Sequence, residues 1–233
     1  MEGKALKYLE QNSLFHMGMI FPIRRGSAEI FYAEDDGVFI QDRVSGAFML
    51  SFYGLDRGME FLDSIGRVEL ICLYQKELAD YFQKKHNYDK YTENFQAVYM
   101  KKEPVKVSVE GLEIRTLDAR SLDLIYEHYH YHVSRDYLKR RLEDGAIYGG
   151  FADGELCGFA GVHEEGAVGI LKVLDKFRRR GFAEALEAHV INAVLANGEV
   201  PFVQVSPDND ASIGLQRKLG LEVSRERLYW LFD

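Results

Sequence analysis

The sequence predicts an α/β fold made of two tandem domains, each a mixed, mostly antiparallel sheet flanked by helices. Strand and helix patterns follow the order βββαβαβ before residue 101, and the same order returns from residue 146 onward. Between them lies Lys101-Lys102-Glu103-Pro104, a charged stretch ending in proline that is typical of a linker. The 233 residues suffice for two small domains, which we place at 1–105 and 106–233.

The first half opens with two helical segments and continues with strands and helices. Asp36-Gly37 and Ser45-Gly46 separate its first three strands and indicate hairpin turns. The predicted helices are 4–12, 13–20, 58–65 and 76–85, and the predicted strands are 28–33, 38–42, 47–52, 68–74 and 94–101.

The second half repeats the pattern after a strand and two helices of its own. Ser134 is a plausible N-cap for the second of these helices, and Asp153-Gly154 predicts a hairpin turn. The predicted strands are 112–116, 146–151, 156–162, 167–174, 201–205 and 221–232, and the predicted helices are 119–131, 134–143, 181–197 and 210–219.

The tails of the two halves can be laid side by side. When Gln83-Lys84-Lys85 is aligned with Gln216-Arg217-Lys218, Phe95 falls opposite Leu228 and Tyr99 opposite Phe232. The match is weak in identity and fair in pattern, which favours a duplicated unit over two unrelated amphipathic segments.

Composition narrows the class of protein. The net charge of −8 argues against a bulk nucleic-acid binder, whose affinity comes from neutralising phosphates. No apolar run approaches the ~18 residues of a membrane span, and the charged N-terminus does not resemble a signal peptide. Cys72 and Cys157 lie in apolar strand contexts and predict buried thiols without a disulfide or metal spacing. We expect a cytoplasmic protein that binds neither nucleic acid nor membranes.

The stretch 166–186 combines a strand, a short basic loop and the start of a helix. Amide N–H groups at a helix N-terminus are unpaired, and the helix dipole favours negative charge there. Gly181 and Ala183 leave the backbone open to a phosphate, and three arginines precede them. The pattern predicts a pyrophosphate site, with a basic surface turn as the alternative. The predicted pyrophosphate site consists of Arg178, Arg179, Arg180, Gly181, Phe182 and Ala183.

Arg178-x-x-Gly181-x-Ala183 resembles the Arg/Gln-x-x-Gly-x-Gly/Ala motif of the GNAT acyltransferases. Asn209, Ser212, Leu215 and Gly220-Leu221 match a second pattern of that family at the right spacing. The resemblance covers residues 107–233 well and residues 1–105 by topology only, as a degenerate GNAT-like half. The two-part layout, with Trp230 in the last strand, looks most like the glycine N-acyltransferase-like subgroup.

The resemblance implies an acyl-CoA donor, with acetyl-CoA the first candidate and no metal. By position in the family, the backbone of Leu171 and Val173 would hold the pantetheine arm. The N–H groups of residues 179–183 would hold the pyrophosphate, and Arg178 to Arg180 would add charge-assisted bonds. Asn209 and Ser212 would reach the pantetheine arm, although plain N-capping of the following helix explains them equally well.

The catalytic groups depart from the family pattern. Gln216 stands where many GNAT enzymes have a tyrosine acid, and Ala167 stands where the glycine-acylating relatives have a glutamate. We expect Glu165, near His163 and Glu164, to act as a base through water. The alternative is that Glu164-Glu165-Gly166 is an exposed hairpin turn. The thiolate leaving group needs no protein acid, since a thiol has a pKa of about 8.5.

The run His128-Tyr129-His130-Tyr131-His132 suggests a metal site at first sight. Alternate residues share a face only in a strand, and we expect this segment to be mostly helical, so the three imidazoles would not converge. We expect it to line or flank an acceptor pocket.

These observations predict an acyl-CoA-dependent N-acyltransferase that acts on a small-molecule or peptide amine. One alternative is an inactive CoA-binding module with a regulatory role, which Gln216 and Ala167 favour. A second is an aminoacyl-tRNA-dependent transferase, which the net charge disfavours. A homodimer through exposed strand edges is plausible.

Overall fold

The computed structural model describes residues 1–129 and 133–233. Its helices are α1 (Glu2–Leu9), α2 (Ser13–Arg25), α3 (Leu55–Ile65), α4 (Lys76–His86), α5 (Leu122–His128), α6 (Arg135–Glu143), α7 (Phe182–Ala196) and α8 (Asp210–Leu219). Its strands are β1 (Ala28–Glu34), β2 (Gly37–Asp42), β3 (Phe48–Phe52), β4 (Leu70–Leu73), β5 (Lys90–Val98), β6 (Leu112–Thr116), β7 (Ile147–Ala152), β8 (Glu155–Val162), β9 (Val168–Val173), β10 (Phe202–Val205) and β11 (Glu222–Phe232).

The chain forms two compact units. Unit 1 consists of 1–98, 204–217 and 221–233, and unit 2 consists of 99–203 and 218–220. The first boundary therefore lies seven residues before the predicted one at 105. The predicted domain 106–233, however, does not form one unit, because its last strand completes the sheet of the first half.

The sheet of unit 1 has the strand order β1-β2-β3-β4-β11-β5. Strands β1 to β3 form antiparallel hairpins, and β4 runs parallel to β3. Strand β11 is antiparallel to both neighbours: Trp230 lies opposite Cys72 on β4 and opposite Thr92 on β5. The end of the chain thus supplies a central strand, with hydrogen bonds on both edges, to a unit otherwise built from residues 1–98.

Helices pack on both faces of this sheet. Successive residues of a strand point to opposite faces, so neighbouring residues of β3 contact different helices. Ser51 on β3 contacts Tyr8 of α1 and His16 of α2 on one face. Leu50, its neighbour, packs on the other face in a buried cluster with Leu62 of α3 and residues of α4. Strand β3 is therefore buried on both sides.

The sheet of unit 2 has the order β10-β9-β8-β7-β6. Strands β6 to β9 are antiparallel, and β10 is parallel to β9. The hairpin turn between β7 and β8 has positive φ at Asp153 (53°) and Gly154 (78°), as an Asp-Gly turn of type I′ requires. Helices α5 and α6 cover one core of this unit, with Ile125, Leu138, Phe159 and Ile170 buried together.

The predicted elements are confirmed with small shifts in most boundaries, and three predictions need correction. Helix α2 runs to Arg25 rather than ending at residue 20, because Pro22 is accommodated inside the helix and left-handed Gly26 ends it. Strand β5 covers Lys90–Val98 rather than 94–101, because its polar first residues pair along β11. The predicted helix 119–131 is a 3-10 turn at Ala119–Ser121 followed by α5, which ends at His128. Residues 130 and 131 of that prediction lie outside the described residues. Ser134 caps α6 as predicted, accepting a hydrogen bond from the backbone N–H of Tyr137.

Candidate functional site

The basic loop joins β9 to α7 with an unusual backbone. After the 3-10 turn Asp175–Phe177, Arg178 is extended, and both Arg179 (φ 62°) and Gly181 (φ 81°) are left-handed. Such conformations can present backbone N–H groups on one side of a concave turn, an arrangement that binds anions. Gly181 is the N-cap of α7, and no side chain accepts a hydrogen bond there. The first N–H groups of a fifteen-residue helix therefore lack a side-chain cap at this loop.

Two buried phenylalanines anchor the loop, and exposed arginines give it positive charge. Phe177 and Phe182 are buried in an apolar cluster below the loop. Arg180 lies above the Phe182 ring, 4.8 Å from guanidinium carbon to ring centre, and Arg178 pairs with Asp175 at 2.8 Å. All three arginines are exposed, whereas Phe182 can offer a ligand only its backbone. Ala183 is half-buried in the first turn of α7.

Strand β9 has an edge that the neighbouring strand does not fill. Only Val168 is in register with β10, opposite Val203. On the other edge, Leu174 donates its backbone N–H to Cys157 O of β8. Because backbone groups alternate in direction along a strand, the N–H groups of Val173 and Leu171 point away from β8. The edge predicted to hold a pantetheine arm thus carries two outward N–H groups.

A bulge interrupts β9 before this open edge. Gly169 pairs with Gly161 of β8 and Lys172 pairs with Phe159, so two residues of β9 face one of β8. Ile170 lies in the bulge with φ 50°, a conformation that branched side chains rarely adopt. The side chain of Ile170 is nevertheless buried in the core under α5 and α6, which holds this backbone conformation in place.

The turn between β8 and β9 carries the predicted catalytic residue. His163 donates its N–H to Ala167 O, and Gly166 donates to His163 O, which closes a tight turn with Glu165 half-exposed at its tip. Glu164 accepts a hydrogen bond at 3.0 Å from Arg140 of α6. The hairpin-turn alternative therefore describes the local structure, while the role of Glu165 as a base stays a prediction.

Sequence reasoning missed a contact between this turn and α6. The hydroxyl of Tyr137 lies 2.7 Å from His163 Nδ1. Burial raises the pKa of Tyr137 well above its ordinary value, and the negative charge of Glu165 raises it further. The Tyr137 hydroxyl therefore stays protonated around neutral pH. No local motif reveals this pair, because 26 residues separate its members.

Comparison with known proteins identifies the fold. The FR47-like protein family model matches residues 146–231, which include β9, the basic loop, α7 and most of β11. A GCN5-related N-acetyltransferase-like protein from Streptococcus suis superposes with a TM-score of 0.57 over 99% of this chain and 100% of its own, at 14% identity. The chain has the GNAT fold.

Two further structures share the GNAT fold along nearly the full chain. A GNAT-family acetyltransferase from Colwellia psychrerythraea gives a TM-score of 0.53 at 12% identity, covering 98% of this chain and 97% of its own. A Drosophila protein gives 0.69 at 15% identity, covering 99% and 87%. The search of curated proteins found no match.

Asn209 and Ser212, which match the second GNAT pattern, form the N-terminal cap of α8. Asn209 Oδ1 accepts a hydrogen bond from the N–H of Ser212 at 3.0 Å, which makes Asn209 the N-cap of α8. Both residues belong to unit 1, whereas the basic loop belongs to unit 2. A contact of either residue with pantetheine stays a prediction. Gln216 is almost fully buried, and an amide cannot serve as a general acid.

In unit 1, the β3–α3 junction has the same place in the element order as the β9–α7 junction, and groups of unit 1 itself bond its strand edge. The backbone N–H of Phe52, at the end of β3, donates to Gln75 Oε1 at 3.1 Å. Gln75 Nε2 donates in turn to Ser51 Oγ, and Tyr74 N–H pairs with Leu50 O of β3. The helix that follows, α3, carries Asp56 in its first turn where α7 has arginines before it. At this junction, unit 1 thus has a bonded strand edge, and the helix that follows begins with Asp56 beside Arg57 in place of a run of three arginines.

The residues that the structure describes form neither a metal-binding cluster nor a membrane-spanning helix. Among residues 1–129 and 133–233, no group of three metal-ligating side chains comes together. Of the histidine-rich run, only His128 and Tyr129 are described, and Tyr129 packs against Phe159 in the core; residues 130–132 lie outside the described residues. Within the described chain, no helix combines the length and apolarity needed to cross a bilayer. Cys72 and Cys157 are buried, as predicted, and Trp230 is also buried.

Proposed function

We propose that this protein is an N-acyltransferase of the GNAT type that takes acetyl groups from acetyl-CoA and transfers them directly to an amine. One observation carries the proposal. The uncapped N-terminus of α7, with three exposed arginines before it, follows directly on a strand whose edge is open beyond Val168. A pyrophosphate on the loop and a pantetheine along the strand match these two features in charge and hydrogen bonding.

The donor would bind in an extended line. Its pyrophosphate would accept hydrogen bonds from the N–H groups of residues 179–183, with charge from Arg178, Arg179 and Arg180. Its pantetheine amides would pair with the backbone of Leu171 and Val173, as an added strand does at a sheet edge. Asn209 and Ser212 would contact the same arm from α8. The acceptor would be a small-molecule amine, an amino acid or a peptide N-terminus.

The proposal also covers the subgroup, the role of the first half, the cellular location and the oligomeric state. The two-unit layout supports the glycine N-acyltransferase-like subgroup, with the first half a degenerate GNAT-like unit. The filled junction at Gln75 supports this role for unit 1, because a side chain of the protein makes the bonds that a ligand would need there. A cytoplasmic location and a possible homodimer are further parts of the proposal.

A second candidate is a CoA-binding module without turnover. Buried Gln216 and Ala167 favour it, since neither side chain can donate or accept a proton in catalysis. Release of free CoA thiol, followed with a panel of amines, separates the two. The transferase predicts amine-dependent thiol release by the wild type, with almost none from Gly181→Glu. Binding of acetyl-CoA without release for any amine would favour the module.

A further inference from the structure

His163 is held in one orientation by groups from two elements. Its ring contacts the Tyr137 hydroxyl through Nδ1 at 2.7 Å, and the backbone N–H of Glu164 donates to that same hydroxyl at 3.4 Å. The tyrosine ring lies tilted beside the imidazole, with centres 6.0 Å apart. With Nδ1 occupied, Nε2 is the nitrogen available to a ligand.

The other edge of the imidazole rests on the backbone of β9. A Cβ atom added to Gly169 would lie 2.8 Å from His163 Nε2 and 2.9 Å from its Cδ2. Glycine is therefore needed at position 169 for the ring to lie there. Since Gly169 immediately precedes the bulge at Ile170, Nε2 lies beside the distorted part of the strand.

This position is where the acyl end of the proposed donor would arrive. The pantetheine would run from the loop back along β9, past Val173 and then Leu171. Gly169 lies two residues, about 7 Å at ~3.3 Å per residue, beyond Leu171 on that line, although the bulge turns its own N–H toward β8. A reactive thioester at this point of the strand would lie within reach of Nε2, whereas Glu165 lies at the tip of the turn.

We propose that His163, positioned by Tyr137, is the general base that deprotonates the acceptor amine, an inference that rests on the proposed acyltransferase function. The ammonium form of the acceptor gives one proton to Nε2. The neutral amine attacks the thioester carbon, a C–N bond forms and the C–S bond breaks. The amine nitrogen then loses its second proton, which neutralises the departing CoA thiolate. Amide, CoA thiol and imidazolium are the products.

The charges around the imidazole balance one another in part. Arg140 binds Glu164, and Arg141 binds Asp144. Tyr137 keeps its proton, so it can fix the ring without itself titrating near neutral pH. The titratable and charged groups of α6 and of the turn that face or flank the ring are Tyr137, Arg140, Arg141, Glu164 and Glu165.

The test compares four variants with the wild type: His163→Ala, Tyr137→Phe, Glu165→Gln and, as a matched control, His189→Asn. His189 is a partly buried histidine of unit 2 that contacts a different tyrosine, Tyr148. We expect His163→Ala to bind acetyl-CoA like the wild type in calorimetry and to lose about 100-fold or more in kcat. Added imidazole should restore part of that rate, and Tyr137→Phe should alter the pH–rate profile with a smaller loss.

The outcomes separate this inference from the proposed function. Failure of the wild type to bind acetyl-CoA would overturn both. If the wild type binds acetyl-CoA and His163→Ala keeps a normal kcat and pH profile, only the role of His163 is overturned. A large loss of kcat confined to Glu165→Gln would overturn it as well. If no amine is turned over, NMR of the histidine ring decides. A change of the His163 signal on adding acetyl-CoA, with His189 unchanged, supports its position, and no change contradicts it.

Discussion

Gln75 closes with its own side chain the strand edge that ends at Phe52. The amide oxygen accepts the Phe52 N–H at 3.1 Å, and the amide nitrogen donates to Ser51 at 3.2 Å. The corresponding edge of β9 in unit 2 has no such side chain among its described contacts. Two units of similar element order therefore differ at the junction to which we assign the donor in unit 2.

The first prediction is that each chain binds one acetyl-CoA. Calorimetry should give a stoichiometry near one, because we assign the donor to the β9–α7 junction of unit 2, whereas Gln75 bonds the strand edge at the β3–α3 junction of unit 1. Gly54→Glu, at the start of α3, should leave binding unchanged, since position 54 has room for a side chain and its φ is −96°. A stoichiometry of two, with one site lost in Gly54→Glu, would show that unit 1 also binds the donor.

The second prediction concerns the arginines. Arg179→Ala should weaken acetyl-CoA binding about tenfold, the loss of about 1.4 kcal/mol of charge-assisted bonding. Binding of acetyl-pantetheine, which lacks the pyrophosphate, should not change. Arg120→Ala is the control, because Arg120 is an exposed arginine of the same unit that pairs with Asp118. Equal losses for both ligands would place Arg179 away from the pyrophosphate.

The third prediction is a pH dependence of stability from His16. Burial lowers the pKa of His16 to about 4, while its ring bonds Leu9 O and Ser51 Oγ. Because the folded pKa lies below the unfolded value of about 6.5, this contribution is complete above pH 6.5 and is lost as the pH falls toward 4. The loss amounts to about 3 kcal/mol at most.

Urea unfolding of wild type and His16→Asn between pH 4 and 7 measures this effect. The free energy of unfolding of the wild type should fall more steeply below pH 6.5 than that of the variant, although the variant is less stable at pH 7. Parallel curves would mean that His16 titrates normally in the folded protein.

The fourth prediction follows from the position of β11. Expressed alone, residues 106–233 should aggregate, because β11 would lose both neighbouring strands and expose apolar residues such as Leu231 and Trp230. Co-expression with 1–105 should give a soluble complex in size-exclusion chromatography. A monomeric, folded 106–233 fragment would contradict the assignment of β11 to unit 1.

Local patterns predicted most of the elements but not their long-range pairing. The bounds of β6 and α8, the Asp153-Gly154 turn and the β9–α7 junction follow from periodicity and turn residues, which act over a few positions. The insertion of β11 between β4 and β5 depends on partners more than a hundred residues away. The start of β5 was missed because Lys90, Thr92 and Glu93 are polar, and the strand conformation of this stretch comes from pairing with β11.

The candidate site likewise contains parts that local sequence patterns predict and parts that depend on long-range packing. Arginine and glycine spacing identified the loop, since a helix N-terminus with small residues is a local feature. The Tyr137–His163 contact and the open edge of β9 depend on which elements pack together, so the sequence pointed only to neighbouring Glu165.

Thermal unfolding with and without acetyl-CoA, in wild type, Gly181→Glu and Gly198→Glu, tests the central claim most directly. The two glycines flank opposite ends of α7 with similar φ, 81° and 78°, so both substitutions strain the backbone alike. At 100 times Kd, acetyl-CoA should add about 2.7 kcal/mol, a rise in Tm of about 5–10 °C. The account predicts this rise in wild type and Gly198→Glu and its absence in Gly181→Glu. A rise in all three proteins, or in none, would contradict a donor site at the start of α7.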